Sequence, residues 1–277
     1  MRVAAAQIEC RPGDIAANLA LHLDMIAAAR SRGADLIVFP ELSLTDYLDE
    51  PDVATLARAG DAEELRRLAD AAGPTMVSAG FIERGDDGSV YNSQVLLANG
   101  RRWHLHRKAN LPTYGRLREG DFYAPGRSVS VVSMPNGWSA ATLICADTWN
   151  PALPWLAAIQ QPDLLIVPIA SSVDAVGDEF DNPAGWEINL RHTAMTYGLP
   201  VVMANHCGGS GRPRFWGGSR ILDSRGRELA RAGTGQGLVV ADLSRDDMVR
   251  ARAQLPTIRD ADPPLVLAEL GRLLSRP

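Results

Sequence analysis

A thiol, a carboxylate and an ammonium each stand at the end of an apolar run in this sequence. Cys145 follows Ala141-Thr142-Leu143-Ile144 and precedes Ala146-Asp147-Thr148-Trp149-Asn150-Pro151. A buried strand that turns sharply into a helix exposes the side chain at the turn. A thiol beside the positive end of that helix would have its pKa lowered. Glu41, in Phe39-Pro40-Glu41-Leu42, presents its carboxylate against an apolar wall, a setting that suits a general base. Lys108, in His106-Arg107-Lys108-Ala109-Asn110, is the sole lysine beside 27 arginines. A coding bias that exchanges lysine for arginine on the surface is resisted where chemistry needs a compact ammonium and not a planar guanidinium. Three strand ends thus carry a thiol, a carboxylate and an ammonium, and Cys145 by its position alone reads either as a nucleophile or as a small buried core residue.

Alternating strand-like and helix-like stretches position these groups, which predicts one domain of mixed α and β layers. A strand is expected over Arg2 to Ile8. A helix with Ile15, Leu19, Leu23 and Ile26 on one face follows, capped by Asp14. The buried strand Ala34 to Phe39 leads to Glu41, and the strand Trp103 to Arg107 leads to Lys108. Pro162-Asp163-Leu164-Leu165-Ile166-Val167-Pro168 echoes Ala34-Asp35-Leu36-Ile37-Val38-Phe39-Pro40, which suggests two similar layers whose matching strand ends deliver loops to one edge. Asn182-Pro183 reads as a helix start, with Asn182 as the cap. The domain is expected over residues 1–253. Residues 254–277, with Pro256, Pro263 and Pro264, read as an extended tail that lies over the body or a partner.

Composition removes several other functions. With 46% hydrophobic and 22% charged residues the 277-residue chain has the balance of a globular protein, and its net charge of −5 lacks the positive field that nucleic acid or an anionic membrane surface requires. No segment approaches the roughly 20 apolar residues of a membrane span, and no signal peptide is read at the N-terminus, so a cytoplasmic location is expected. Cys10, Cys145 and Cys207 form no C-x-x-C pair and read as free thiols. His104-x-His106 has no third ligand spaced near it, so no metal site is expected. The sequence has neither a G-x-S-x-G elbow nor a P-loop, and the reading calls for no cofactor.

The ordered set of motifs resembles the carbon–nitrogen hydrolase family, the nitrilase superfamily. The resemblance rests on Val3-Ala4-Ala5-Ala6-Gln7, Phe39-Pro40-Glu41, Arg107-Lys108 with Leu111-Pro112, Leu143-Ile144-Cys145-x-Asp147, and Arg191-x-x-Ala194 leading to Val201-Val202-Met203-Ala204-Asn205. It runs from residue 1 to about 243. It implies that Glu41, Lys108 and Cys145 are the catalytic glutamate, lysine and cysteine, and that Glu119, in Arg118-Glu119-Gly120-Asp121, is the second glutamate of the family. A carboxylate there would hold the charge and direction of Lys108 in a water-excluding pocket. The resemblance further implies a four-layer α-β-β-α sandwich and a homodimer.

Ala146-Asp147 after the cysteine looks more like the amidase members of the family than its true nitrilases, which commonly have tryptophan and glutamate there. The expected reaction is therefore hydrolysis of a small amide through a thioester, with a nitrile or an N-carbamoyl amine as alternative substrates. Leu111-Pro112-Thr113-Tyr114-Gly115 resembles the glutaminase part of glutamine-dependent synthetases. Tyr114, Ala146, Trp149, Ser171 and Ser172 are the expected substrate-binding residues, with Phe180 and Trp186 as further candidates. The acidic run Asp174, Asp178, Glu179 and Asp181 would either select a cationic amide or lie solvated. A binding protein that kept the fold is the reading of another class, and the intact set Glu41, Lys108, Glu119 and Cys145 argues against it.

Overall fold

The computed structural model describes residues 1–48, 50–209 and 213–275. Alternation along single strands decides its layering. In β1 (Arg2–Gln7), Ala4 and Ala6 enter a core shared with Leu19 and Ile26 of helix α1 (Ile15–Ser31), whereas Val3 and Ala5 enter another shared with Leu164, Ile166 and Val202. Successive side chains of a strand leave opposite faces, so both faces of β1 are covered.

In chain order there follow β2 (Leu36–Val38), the short α2 (Val53–Leu56) and β3 (Arg58–Ala59), α3 (Glu63–Ala72), β4 (Met76–Arg84), β5 (Val90–Ala98) and β6 (Arg101–Arg107). Then come β7 (Val131–Ser133), β8 (Ser139–Thr142), α4 (Ala152–Ala158), β9 (Leu164–Ile169), α5 (Asn182–Tyr197) and β10 (Val201–Asn205). The short β11 (Cys207–Gly208) and β12 (Phe215–Trp216) precede β13 (Arg220–Leu222), β14 (Glu228–Arg231), β15 (Gly237–Asp242), α6 (Arg245–Gln254) and α7 (Pro263–Leu274).

One sheet runs in the order β15-β1-β2-β4-β5-β6, with β3 beside β4, and the other in the order β14-β13-β10-β9-β8-β7. Leu164 and Ile166 of β9 face the first sheet, while Leu165, Val167 and Ile169 pack on Trp186, Leu190 and Ala194 of α5. Helices therefore cover the outer face of each sheet, and the expected α-β-β-α sandwich is the observed one. The parallel strands β1, β2 and β4 and their counterparts β8, β9 and β10 form the two centres.

The seven-residue echo holds in space, since β2 and β9 are the middle strands of those two parallel triplets. Its prolines differ in setting. Pro40 lies beyond β2, but Pro168 lies inside β9. Leu165 gives its N–H to Pro200 on the β10 side, so alternate residues such as Pro168 turn their nitrogens towards β8, whose pairing stops at Thr142–Ile166. No ladder bond is lost there.

Two expectations are corrected. Asp181, not Asn182, caps α5, its side chain accepting from Ala184 N at 3.1 Å. Asn182 is buried and serves the site described below. The C-terminal segment is not extended throughout, because α7 spans Pro263–Leu274, with Asp262 accepting from Leu265 N at 3.0 Å. Prolines in the first helical turn lose no hydrogen bond, so Pro263 and Pro264 start this helix where they would have broken one further in. Among the described residues no helix is long and apolar enough to cross a membrane.

Candidate active site

The C-terminal ends of β2, β6, β8 and β9 meet at one place. Glu41 follows β2, Lys108 directly follows β6, Cys145 follows β8, and Ala170 directly follows β9. Lys108 Nζ donates to Glu41 Oε1 at 2.6 Å and to Glu119 Oε1 at 2.7 Å, with all three side chains buried. Glu41 also accepts from Asn92 Nδ2 at 2.7 Å on Oε1 and from the Ala170 N–H at 2.8 Å on Oε2. Glu119 in turn accepts from the Tyr47 hydroxyl at 3.0 Å.

The turn that carries Glu41 is tight, with Leu42 at φ 52° and Asp46 at φ 65°. It fits because β4 has a glycine beneath it. A Cβ on Gly80 would lie 2.3 Å from Leu42 N and 2.7 Å from Pro40 O. His206, just past β10, braces the turn from the second sheet, its Nε2–H donating to Glu41 O at 2.6 Å while its ring stacks on Phe215. Cys10, Asp46 and His206 have ligand-type atoms within 4.8 Å of one another. Cys10 Sγ donates to Ser43 O at 3.1 Å, and His206 Nδ1, which has no hydrogen-bond partner among the described residues, lies 3.3 Å from Asp46 Oδ1.

Cys145 has φ 46°, in the left-handed region that non-glycine residues rarely adopt. Asp147 holds this strained turn, accepting from Ile144 N at 3.0 Å on Oδ2 and donating its own N–H to Ile144 O. The same carboxylate accepts from His106 Nε2 at 3.0 Å, from Ala109 N at 3.0 Å and from Asn110 N at 2.7 Å. One buried side chain thus ties the cysteine turn to the segment that carries Lys108.

Charge in this pocket is set by two carboxylates around one ammonium. Burial alone would strip Lys108 of its proton, but Glu119 and Glu41 reverse that and hold its pKa well above the ordinary value. Burial pushes Glu119 up to about 7, against the pull of Lys108 and with the charge of Glu41 adding to the rise. The Cys145 thiol is pushed up by burial and by Glu41, and Lys108 only partly offsets this. The expectation of a lowered thiol pKa is therefore corrected. Cys145 opens a short 3₁₀ turn over Cys145–Trp149 and no long helix starts there, so desolvation prevails and the resting group is the thiol.

A cavity of about 250 Å³ opens above Cys145 and Glu119. Of the residues expected to bind substrate, Tyr114, Ala146, Trp149 and Ser171 line it, as do Phe180 and Trp186. Ser172 does not. Its hydroxyl donates to Asp174 Oδ1 at 3.0 Å, and it lines a smaller neighbouring cavity. Tyr47, Asn92, Ala170 and Asn182 were missed by sequence reasoning. Each acts through a distant partner, and no local pattern marks it.

The carbon–nitrogen hydrolase family model matches residues 2–253 of the chain. A protein from Pseudomonas protegens known as hydrolase in pqqF 5'region is 33% identical over 96% of this chain and 90% of its own length. A glutamine-dependent NAD(+) synthetase from Thermotoga maritima is 29% identical over 99% of this chain, which spans 48% of that protein. Among solved structures, a mutant of the Nesterenkonia AN1 amidase from the nitrilase superfamily superposes with a TM-score of 0.81 at 28% identity, covering 99% of this chain and 97% of that one. In another mutant of that amidase the acetamide moiety of fluoroacetamide is covalently attached to the active-site cysteine.

Proposed function

Since the chain belongs to the carbon–nitrogen hydrolase family, we propose that it is an amidase, which converts a small amide to a carboxylic acid and ammonia or an amine through a thioester on Cys145. The observation that carries the reading is the buried Lys108, held between Glu41 and Glu119 beside a strained cysteine turn. A protein that only binds has no need of a desolvated ammonium and a thiol under one small cavity.

In the first half-reaction the Glu41 carboxylate takes the proton of the Cys145 thiol as Sγ bonds to the amide carbon. This is needed because the thiol keeps its proton at rest. The carbonyl oxygen becomes an oxyanion. Two N–H groups of the Lys108 ammonium donate hydrogen bonds to Glu41 and Glu119, which leaves the third for that oxyanion, with the Ala146 N–H as a second donor. One donor of this kind contributes about 3 kcal/mol. Glu41 next passes its proton to the leaving nitrogen as the C–N bond breaks. In the second half-reaction it takes a proton from water as the water oxygen attacks the thioester, and returns it to sulfur as the C–S bond breaks. Glu119 does not touch the reacting atoms and orients Lys108.

We read the protein as a homodimer in the cytoplasm, without nucleic-acid, membrane or metal partners. Leu267, Leu270 and Leu274 of α7 are exposed apolar residues that a second copy would cover. Free Cys10, Cys145 and Cys207 suit a reducing compartment.

Intact-mass spectrometry during turnover, alongside assay of ammonia release, tests the reading. An acyl increment lost in Cys145→Ala is the expected result. Ammonia release without any adduct on Cys145, or with the adduct elsewhere, would overturn it.

A further inference from the structure

The wall above Cys145 is almost wholly apolar, and two of its polar side chains, Asn182 and Ser171, are bonded to each other. Trp149 packs edge-on against Trp186 at 5.3 Å and against Phe180 at 6.1 Å between ring centres. This cluster lines the cavity together with Leu117 and Val176. Asn182, also on the lining, spends its amide N–H groups on Ser171 Oγ at 2.9 Å and Ser172 O at 2.6 Å. Ser171 Oγ accepts a further bond from Trp216 Nε1 at 3.0 Å.

Charge is kept off this wall even though it borders an acidic loop. Asp174 pairs with Arg116 at 3.5 Å, Asp181 caps α5, and Asp178 and Glu179 are exposed to solvent. The loop residues that reach the cavity are Ala175, Val176 and Phe180, which alternate with the acids. Among the described lining residues the one acidic or basic side chain is Glu119, already bonded to Lys108 and Tyr47. An ammonium or carboxylate on the substrate would be desolvated there with no free opposite charge to pair with.

We propose that the acyl side of the substrate is a neutral apolar group, a short alkyl chain or a ring, packed on the Trp149 wall, and that Phe180 sets its length. The inference rests on the amidase reading and adds the substrate class. About 250 Å³ is below the usual range of ligand cavities, which limits the substrate to a small one. Phe180 can lean inward because α5 has a glycine below it. A Cβ on Gly185 would lie 2.6 Å from Phe180 Cζ and 3.2 Å from Trp149 Cη2.

The test compares kcat/KM for acetamide, butyramide, pentanamide and benzamide with that for the charged near-isosteres 4-aminobutyramide and succinamate, and for glutamine. A gain of about fourfold per added methylene is expected until the cavity is full, with each charged amide at least about 100-fold below pentanamide. A charged amide or glutamine that matches pentanamide overturns the apolar site while leaving the amidase reading intact. Binding to Cys145→Ala, read as thermal stabilisation by pentanamide and by succinamate, separates the two further. Preference for pentanamide without turnover in the native enzyme would sink the amidase reading and uphold the site, whereas equal stabilisation or none would sink the site. Phe180→Ala, a change at a partly exposed side chain, should raise the octanamide to butyramide ratio about tenfold, and an unchanged ratio removes Phe180 as the length determinant.

Discussion

Lys108 Nζ lies 2.6 Å from Glu41 Oε1, with both side chains wholly buried and their positions 67 apart in the chain. An ammonium in so dry a place survives because a second carboxylate, Glu119, stands 2.7 Å away on its other side. Burial, with the charge of Glu41 added, pushes the Glu119 carboxyl up to about 7 against the pull of Lys108.

Lys108→Arg should lower kcat/KM by at least about 100-fold, the loss typical of a removed oxyanion donor. A guanidinium spends its planar fork on the two carboxylates and aims no single proton at a developing oxygen. Steady-state ammonia release measures this, with circular dichroism to check the fold. Near-native turnover in the folded variant would remove the role given to Lys108.

Because the Cys145 thiol is pushed up by burial and by Glu41, its reactivity should depend on Glu41 as a base and not on a standing thiolate. Alkylation of Cys145 by iodoacetamide at neutral pH should slow by about 100-fold in Glu41→Gln, on the scale of a lost general base. Intact mass against time reports the rate. An equal or faster rate in the variant would show that Glu41 is not the base.

Glu119 should give stability a pH dependence of defined sign. Its carboxyl is raised from an ordinary 4.5 to about 7, so between those values the folded state holds a proton that the unfolded state has released. Unfolding free energy must then fall as pH rises through this window, by up to about 3 kcal/mol for this group alone. In Glu119→Gln that contribution disappears. Urea unfolding at pH 4.5, 5.5 and 7 compares the two slopes, and identical slopes would exclude a raised Glu119.

Asp147→Ala should cost about 4 kcal/mol, roughly 10 °C in Tm, because it strands the N–H groups of Ile144, Ala109 and Asn110 and the ring of His106 at once. Activity should fall with it, since the turn of Cys145 and the segment of Lys108 are then no longer joined. A variant that melts with the native protein would show the turn to be held by other contacts.

Much of this was legible in the chain. The apolar runs before Glu41 and Cys145 are strands because their continuous hydrophobicity suits sheets covered on both faces, and the lone Lys108 stands out against 27 arginines. The tail was not legible in the same way. Three prolines in a short stretch read as a breaker until their position is known, and only the place of Pro263 and Pro264 in the first turn of α7 makes those two helix starters. Asn182 misled for a related reason. It has the residue type of a cap, but the preceding aspartate caps the helix and leaves Asn182 free to turn inward onto Ser171.

By itself the sequence determined which groups could react and that strand ends would carry them, since apolar period and residue type are local properties. Tertiary structure decided how those groups are charged. The rise of Glu119 to about 7, the protonated thiol of Cys145 and the neutral wall of Trp149 all depend on desolvation and on charges from other strands. Solvent exclusion and Coulomb interactions follow distance in space, and the spacing of residues along the chain carries no measure of that distance.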